Sequence, residues 1–160
     1  MKKILFTLIS VLALGANTAF ANTEAVDELN GLLEGELSAV ETYKQALKQV
    51  KSPDLESALS NHEKAVVALR DHVKTAGGTP VTSSGVWGTW TEAVTGAAKT
   101  IGNQTALKAL KEGEQHGADE YEEALKDNEV PVVAKNLIKD KLLPQQKIHI
   151  DNLNKMIQNS

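Results

Sequence analysis

Residues 35–43 read Gly35-Glu36-Leu37-Ser38-Ala39-Val40-Glu41-Thr42-Tyr43, and their spacing decides the fold. Glu36, Val40 and Tyr43 recur at steps of three and four, as apolar positions do on the buried face of a helix, and Val26, Leu29, Leu33, Leu47 and Val50 continue the same stripe on both sides. That buried stripe carries a carboxylate and, two turns later, a phenol. The pattern returns at Gly113-Glu114 and Tyr121. Around it, Leu107 and Leu110 stand where Leu29 and Leu32 stand, Ala124-Leu125-Lys126 where Ala46-Leu47-Lys48 stand, and Pro131 where Pro53 stands, which points to a duplicated helix hairpin.

Each of these helices is followed by a second stripe after a short turn. Ser52-Pro53 restarts the chain, with serine placed to cap the new helix and proline at the first helical position, where its missing N–H is not needed. Leu55, Leu59, His62, Val66, Leu69 and Val73 then hold helical spacing until Gly77-Gly78 and Pro80. In the second half Asp127-Asn128 marks the turn, and Ala134, Ile138, Leu142, Gln145, His149, Leu153 and Met156 form the last stripe, with Pro144 inside it as an expected kink. The expectation is an all-α, four-helix bundle: two antiparallel hairpins with helices near 23–51, 53–76, 104–127 and 130–158. A long crossover joins them, with a short amphipathic helix near 86–99 carrying Trp87 and Trp90.

The first 21 residues read differently. Lys2 and Lys3 precede an apolar run from Ile4 to Leu14 and then Ala19-Phe20-Ala21, the pattern of a secretory signal cut after Ala21. The chain therefore divides into a signal peptide, 1–21, and one domain, 22–160, expected in the periplasm or outside the cell. The leader run is too short for a good bilayer span. The 160-residue chain has a net charge of −4, and removing the two leader lysines makes the remainder more acidic, which disfavours nucleic acid or an anionic membrane as partner. A second copy or another protein remains open. With no cysteine there is neither a disulfide nor a thiolate metal site.

Glu36 and Glu114 lie on buried stripes, where an unpaired carboxylate costs several kcal/mol in lost hydration, so each needs a partner. His72 follows Glu36 and His149 follows Glu114 at nearly equal separations, which suggests two Glu and two His at one interior level, with Tyr43 and Tyr121 orienting the carboxylates. His62 is read as a core histidine paired with Glu41 or Glu63, and His116 as solvated. Asp119, Glu120, Glu122 and Glu123 read as a solvated helix face. No phosphate-loop spacing and no catalytic-triad arrangement stands out.

The stretch from Gly35 to Tyr43 resembles the first metal-ligand helix of rubrerythrins and bacterioferritins, in which alanine follows the glutamate at three and tyrosine at seven. Gly113-Glu114 with Tyr121 resembles their third. From Ala25 to Ile157, including Leu69-Arg70-Asp71-His72, Gly77-Gly78-Thr79-Pro80 and the tryptophan-bearing crossover, the chain resembles an uncharacterised bacterial family of ferritin-like domains of unknown function. The resemblance implies a ferritin-like four-helix fold. Di-iron members carry Glu-x-x-His on the second and fourth helices. Here those motifs read Leu69-Arg70-Asp71-His72 and Gln146-Lys147-Ile148-His149, without either bridging glutamate, which argues against a paired-iron oxidase or ferroxidase and leans away from an enzyme.

Three arrangements stay open. Glu36, His72, Glu114 and His149 hold one divalent ion, iron, zinc or manganese; extra ligands among Glu41, Glu63 and His62 build a two-metal centre; or the carboxylates and imidazoles satisfy one another as a metal-free polar layer. In the last case the domain would be a helical interaction or envelope-stress module.

Overall fold

The computed structural model describes residues 22–85 and 103–160. The expected signal peptide and the crossover helix with Trp87 and Trp90 lie outside the described residues. Helix α1 spans Thr23–Gln49 and α2 spans Pro53–Thr75. Helix α3 spans Asn103–Lys126, and the fourth arm consists of α4 (Val132–Leu137), a π-helical turn (Ile138–Leu142) and α5 (Leu143–Gln158). Among the described residues there is no strand, and no helix is long and apolar enough to cross a membrane.

The ends of the elements follow their local chemistry. The Asn22 side chain accepts from the Ala25 N–H and caps α1. Ser52 occupies the N-cap position of α2 with Pro53 after it, but its hydroxyl turns to the Met156 sulfur at 3.7 Å instead of capping the helix. At the far end of α2, Gly77 takes a left-handed φ of 84°, and the N–H groups of Gly77 and Gly78 return to the carbonyls of Lys74 and Val73. The expected kink at Pro144 takes the form of the π turn just before it, closed by the Leu143 N–H reaching back to the Ile138 carbonyl. Proline has no N–H to continue the regular ladder, and widening the preceding turn accommodates the missing bond.

Tyr43 of α1 reaches Glu114 of α3, and Tyr121 of α3 reaches Glu36 of α1, so these two helices run antiparallel. Each pairs antiparallel with its own hairpin partner. The chain therefore runs up, down, down and up, with the end of α2 and the start of α3 at opposite ends of the bundle. The interior has three levels. Leu29, Leu33, Leu69, Val73 and Ile138 fill one end, and Leu55, Leu107, Leu110 and Leu153 fill the other. Between them lies a polar level of Glu36, His62, Glu114 and His149, all at least nine-tenths buried.

Candidate metal centre

His62 stands at the middle of the polar level. Its Nδ1 lies 2.8 Å from Glu36 Oε2 and its Nε2 lies 3.0 Å from Glu114 Oε1, so α2 bridges the carboxylates of α1 and α3 with one imidazole. The Tyr43 hydroxyl donates to Glu114 Oε1, and the Tyr121 hydroxyl donates to Glu36 Oε1. His149 approaches from α5, with Nδ1 3.4 Å from Glu114 Oε2 and Nε2 3.1 Å from the Asn61 amide nitrogen. The Gln146 amide, one turn before His149, donates to the Glu114 backbone carbonyl at 3.1 Å.

The electrostatics follow from this contact pattern. Burial alone pulls the His62 imidazolium down, but the charges of Glu36 and Glu114 and the hydrogen bonds to both raise its pKa from 6.5 to about 10. Burial pushes Glu114 up, but His62 and the hydrogen bonds from His149 and His62 outweigh it and hold the carboxyl at about 2, below its ordinary 4.5. Tyr43 and Tyr121 are pushed well above 10, first by burial and next by the carboxylate each serves, so both phenols remain neutral donors. Near neutral pH His62 thus stands as an imidazolium against the Glu114 carboxylate, with Glu36 on its other nitrogen. Among the described residues, no fully buried side-chain nitrogen or oxygen lacks a partner.

Of the six residues expected to act together, the structure assembles Glu36, Tyr43, Glu114, Tyr121 and His149 and leaves out His72. His72 is only half-buried and lies ten residues beyond His62 on α2, about 15 Å along the axis. His62 occupies the place expected of it, and its partners are Glu36 and Glu114 rather than Glu41 or Glu63. Glu41 accepts from the Ser84 hydroxyl at 3.1 Å, and Glu63 pairs with Lys44 at 3.0 Å. His116 is half-exposed beside Glu120, as expected. The sequence did hold the signal for His62: Leu59-Ser60-Asn61-His62 sets an imidazole on the buried stripe of α2, matching Gln146-Lys147-Ile148-His149 on α5. The positions of the two bridging glutamates are thus Leu59 and Gln146.

Among the described residues, one group of atoms has the spacing of a metal site. Single donor atoms of His62, Glu114 and His149 lie within 4.8 Å of one another. Glu36 stands behind His62 on its other nitrogen, the arrangement in which a carboxylate fixes the orientation of a ligating imidazole. The Asn61 side chain has both a donor and an acceptor end, so it can serve either tautomer of His149.

Up-down-down-up topology around a buried level of carboxylates and imidazoles defines a ferritin-like four-helix bundle. Residues 24–127 match the model of a family described as a domain of unknown function, DUF2383, and the chain belongs to that family. A crystal structure titled as ferritin like, diiron-carboxylate proteins from Bacillus anthracis str. Ames has the same fold, with a TM-score of 0.67 at 19% identity, covering 86% of this chain and 97% of that one. No curated protein matches the chain.

Proposed function

We propose that this protein holds a single divalent metal ion, with His62, Glu114 and His149 as ligands and Glu36 orienting His62. The observation that carries the proposal is the convergence of those three donors in a buried level. Charge sets the number of ions. Glu36 and Glu114 supply two negative charges, which one divalent ion balances once His62 gives up its proton, whereas two ions would leave two positive charges uncompensated in the interior. The residues present do not fit a paired-iron centre, because Leu59 and Gln146 stand where its bridging carboxylates are needed. Two imidazoles and one carboxylate suit zinc, ferrous iron or manganese.

Titrating the metal-free protein with Co2+ and following its visible absorption tests the reading. One equivalent should bind to the wild type and to His72→Ala, and none to Glu114→Gln. Tight binding by Glu114→Gln would remove the ligand assignment. Export with cleavage after Ala21 belongs to the same proposal, on the strength of the leader pattern, and a native mass that retains Met1 to Ala21 would contradict it.

A second reading rests on one observation: the protonated His62 already satisfies Glu36 and Glu114, with both phenols donating. Under it the polar level is structural, and the domain is an exported helical module that acts on a protein partner or a second copy of itself. Absence of Co2+ binding to the wild type would favour this reading.

A further inference from the structure

Beside the polar level, a cavity opens between α1 and α3. Gly31 and Gly35 of α1 face Gly113 and Gly117 of α3 across a cavity of about 70 Å³, bordered on its inner side by Glu36, His62 and Glu114. A Cβ added at Gly31 or Gly35 would meet nothing within 4 Å, so these glycines do not serve a close helix contact. A glycine inside a helix costs about 1 kcal/mol relative to alanine, and at these two positions no packing gain offsets that cost. What the missing side chains provide is open space. Gly31 is exposed and Gly35 half-buried, so the slot leads from the surface to two carboxylates that are 5% and 3% exposed.

The slot continues along the same groove into a depression lined by Asp27, Glu28, Glu120, Glu123 and Asp127, with Gly31, Leu32 and Glu120 common to both. Among the described residues, no lysine or arginine pairs with Asp27, Glu28, Glu123 or Asp127. Burial pushes the Glu28 carboxyl up, and the neighbouring charges of Asp127, Glu120 and Asp27 push it further. An acidic mouth over a low-dielectric slot concentrates cations at its entrance.

We infer that the glycine-lined slot between α1 and α3, with its acidic mouth, is the path by which a divalent cation enters and leaves the buried centre. The inference rests on the single-ion reading. It also assigns Glu120 and Glu123, which the sequence alone presents as a solvated face, a part in cation capture.

Stopped-flow mixing of the full metal-free protein with Co2+ tests the path. Gly31→Leu places a side chain where the slot meets the mouth, and should slow both uptake and release while leaving the equilibrium affinity within about twofold, because no ligand is touched. Gly31→Ala, a smaller plug, should be intermediate. The triple variant Glu28→Gln, Glu123→Gln, Asp127→Asn changes only surface charge and should slow uptake about tenfold at low ionic strength, the difference closing at high salt. Dichroism confirms folding, and the surface variant keeps the test alive if Gly31→Leu fails to fold. Uptake at the wild-type rate in both the plugged and the neutralised variants overturns the path. A wild type that takes up no Co2+ overturns the single-ion reading and the path with it, a result distinct from binding by an unaltered route.

Discussion

The two hairpins contribute unequally to the centre they share. Their first helices are equivalent: α1 brings Glu36 and Tyr43, α3 brings Glu114 and Tyr121, and each phenol crosses to the other helix's carboxylate. The returning helices differ. His62 of the first hairpin touches both carboxylates, whereas His149 of the second touches only Glu114. A pseudo-symmetric pair of carboxylates is thereby divided into two roles, with Glu114 facing both imidazoles and Glu36 supporting His62 from behind. Symmetry in the first helices does not carry over to the chemistry, because the imidazoles are mounted at different distances from their turns.

The largest effect should come from the residue both hairpins use. In metal-free protein, His62→Leu removes the cation between two buried carboxylates, and breaking such a pairing from one side costs about 3–5 kcal/mol. His72→Ala, on the same helix but outside the centre, should stay within about 0.5 kcal/mol. Urea unfolding of the two variants measures the contrast, and equal losses would return His72 to the centre.

Metal affinity sharpens the division between the carboxylates. Glu114→Gln should abolish Co2+ binding, whereas Glu36→Gln, which alters only the support of a ligand, should weaken it about 10–100-fold. Equal loss from both would mean that each hairpin supplies a carboxylate ligand. The phenols bear on both stability and affinity. Tyr43→Phe and Tyr121→Phe should each cost about 1.5–3 kcal/mol, the range for a hydrogen bond to a charged group, but Tyr43→Phe should also change Co2+ affinity more, because its acceptor is Glu114.

The pH dependence of stability reads the same centre. The folded His62 pKa of about 10 lies above its ordinary 6.5, so its contribution to stability is complete below pH 6.5 and is lost as pH rises through about 10. Glu114 lies at about 2 against 4.5, so its contribution is complete above pH 4.5 and is lost as pH falls toward 2. Metal-free protein should therefore be most stable between these two limits, pH 4.5 and 6.5. A bound ion replaces the His62 proton, so metal should suppress the decline on the alkaline side. Melting temperatures across pH, with and without chelator, check both limbs.

The fold was readable because the stripes on all four helical arms lead to the same packing and the turns are marked by Pro53, Gly77 and Pro131. Glu36, Glu114, Tyr43, Tyr121 and His149 were readable because polar groups on a buried stripe must meet one another. His62 is on the stripe too, but equal separations of imidazole and carboxylate in the two hairpins point to His72 in its place. The actual separations are 26 residues for His62 and Glu36 and 35 for His149 and Glu114. Part of that difference lies in the longer second turn and in the π turn ahead of Pro144, an irregularity that stripe counting does not register. The slot between α1 and α3 was not readable, because Gly31 and Gly35 mark open space only once α3 is set beside α1.

The most direct test is anomalous scattering from crystals of the protein grown with Zn2+, recorded on both sides of the zinc absorption edge. The single-ion account requires one strong peak per chain in contact with His62 Nε2, Glu114 and His149 Nδ1, with Glu36 on His62 Nδ1. A pair of peaks in the bundle, a peak at His72, or no peak between those three side chains would contradict it.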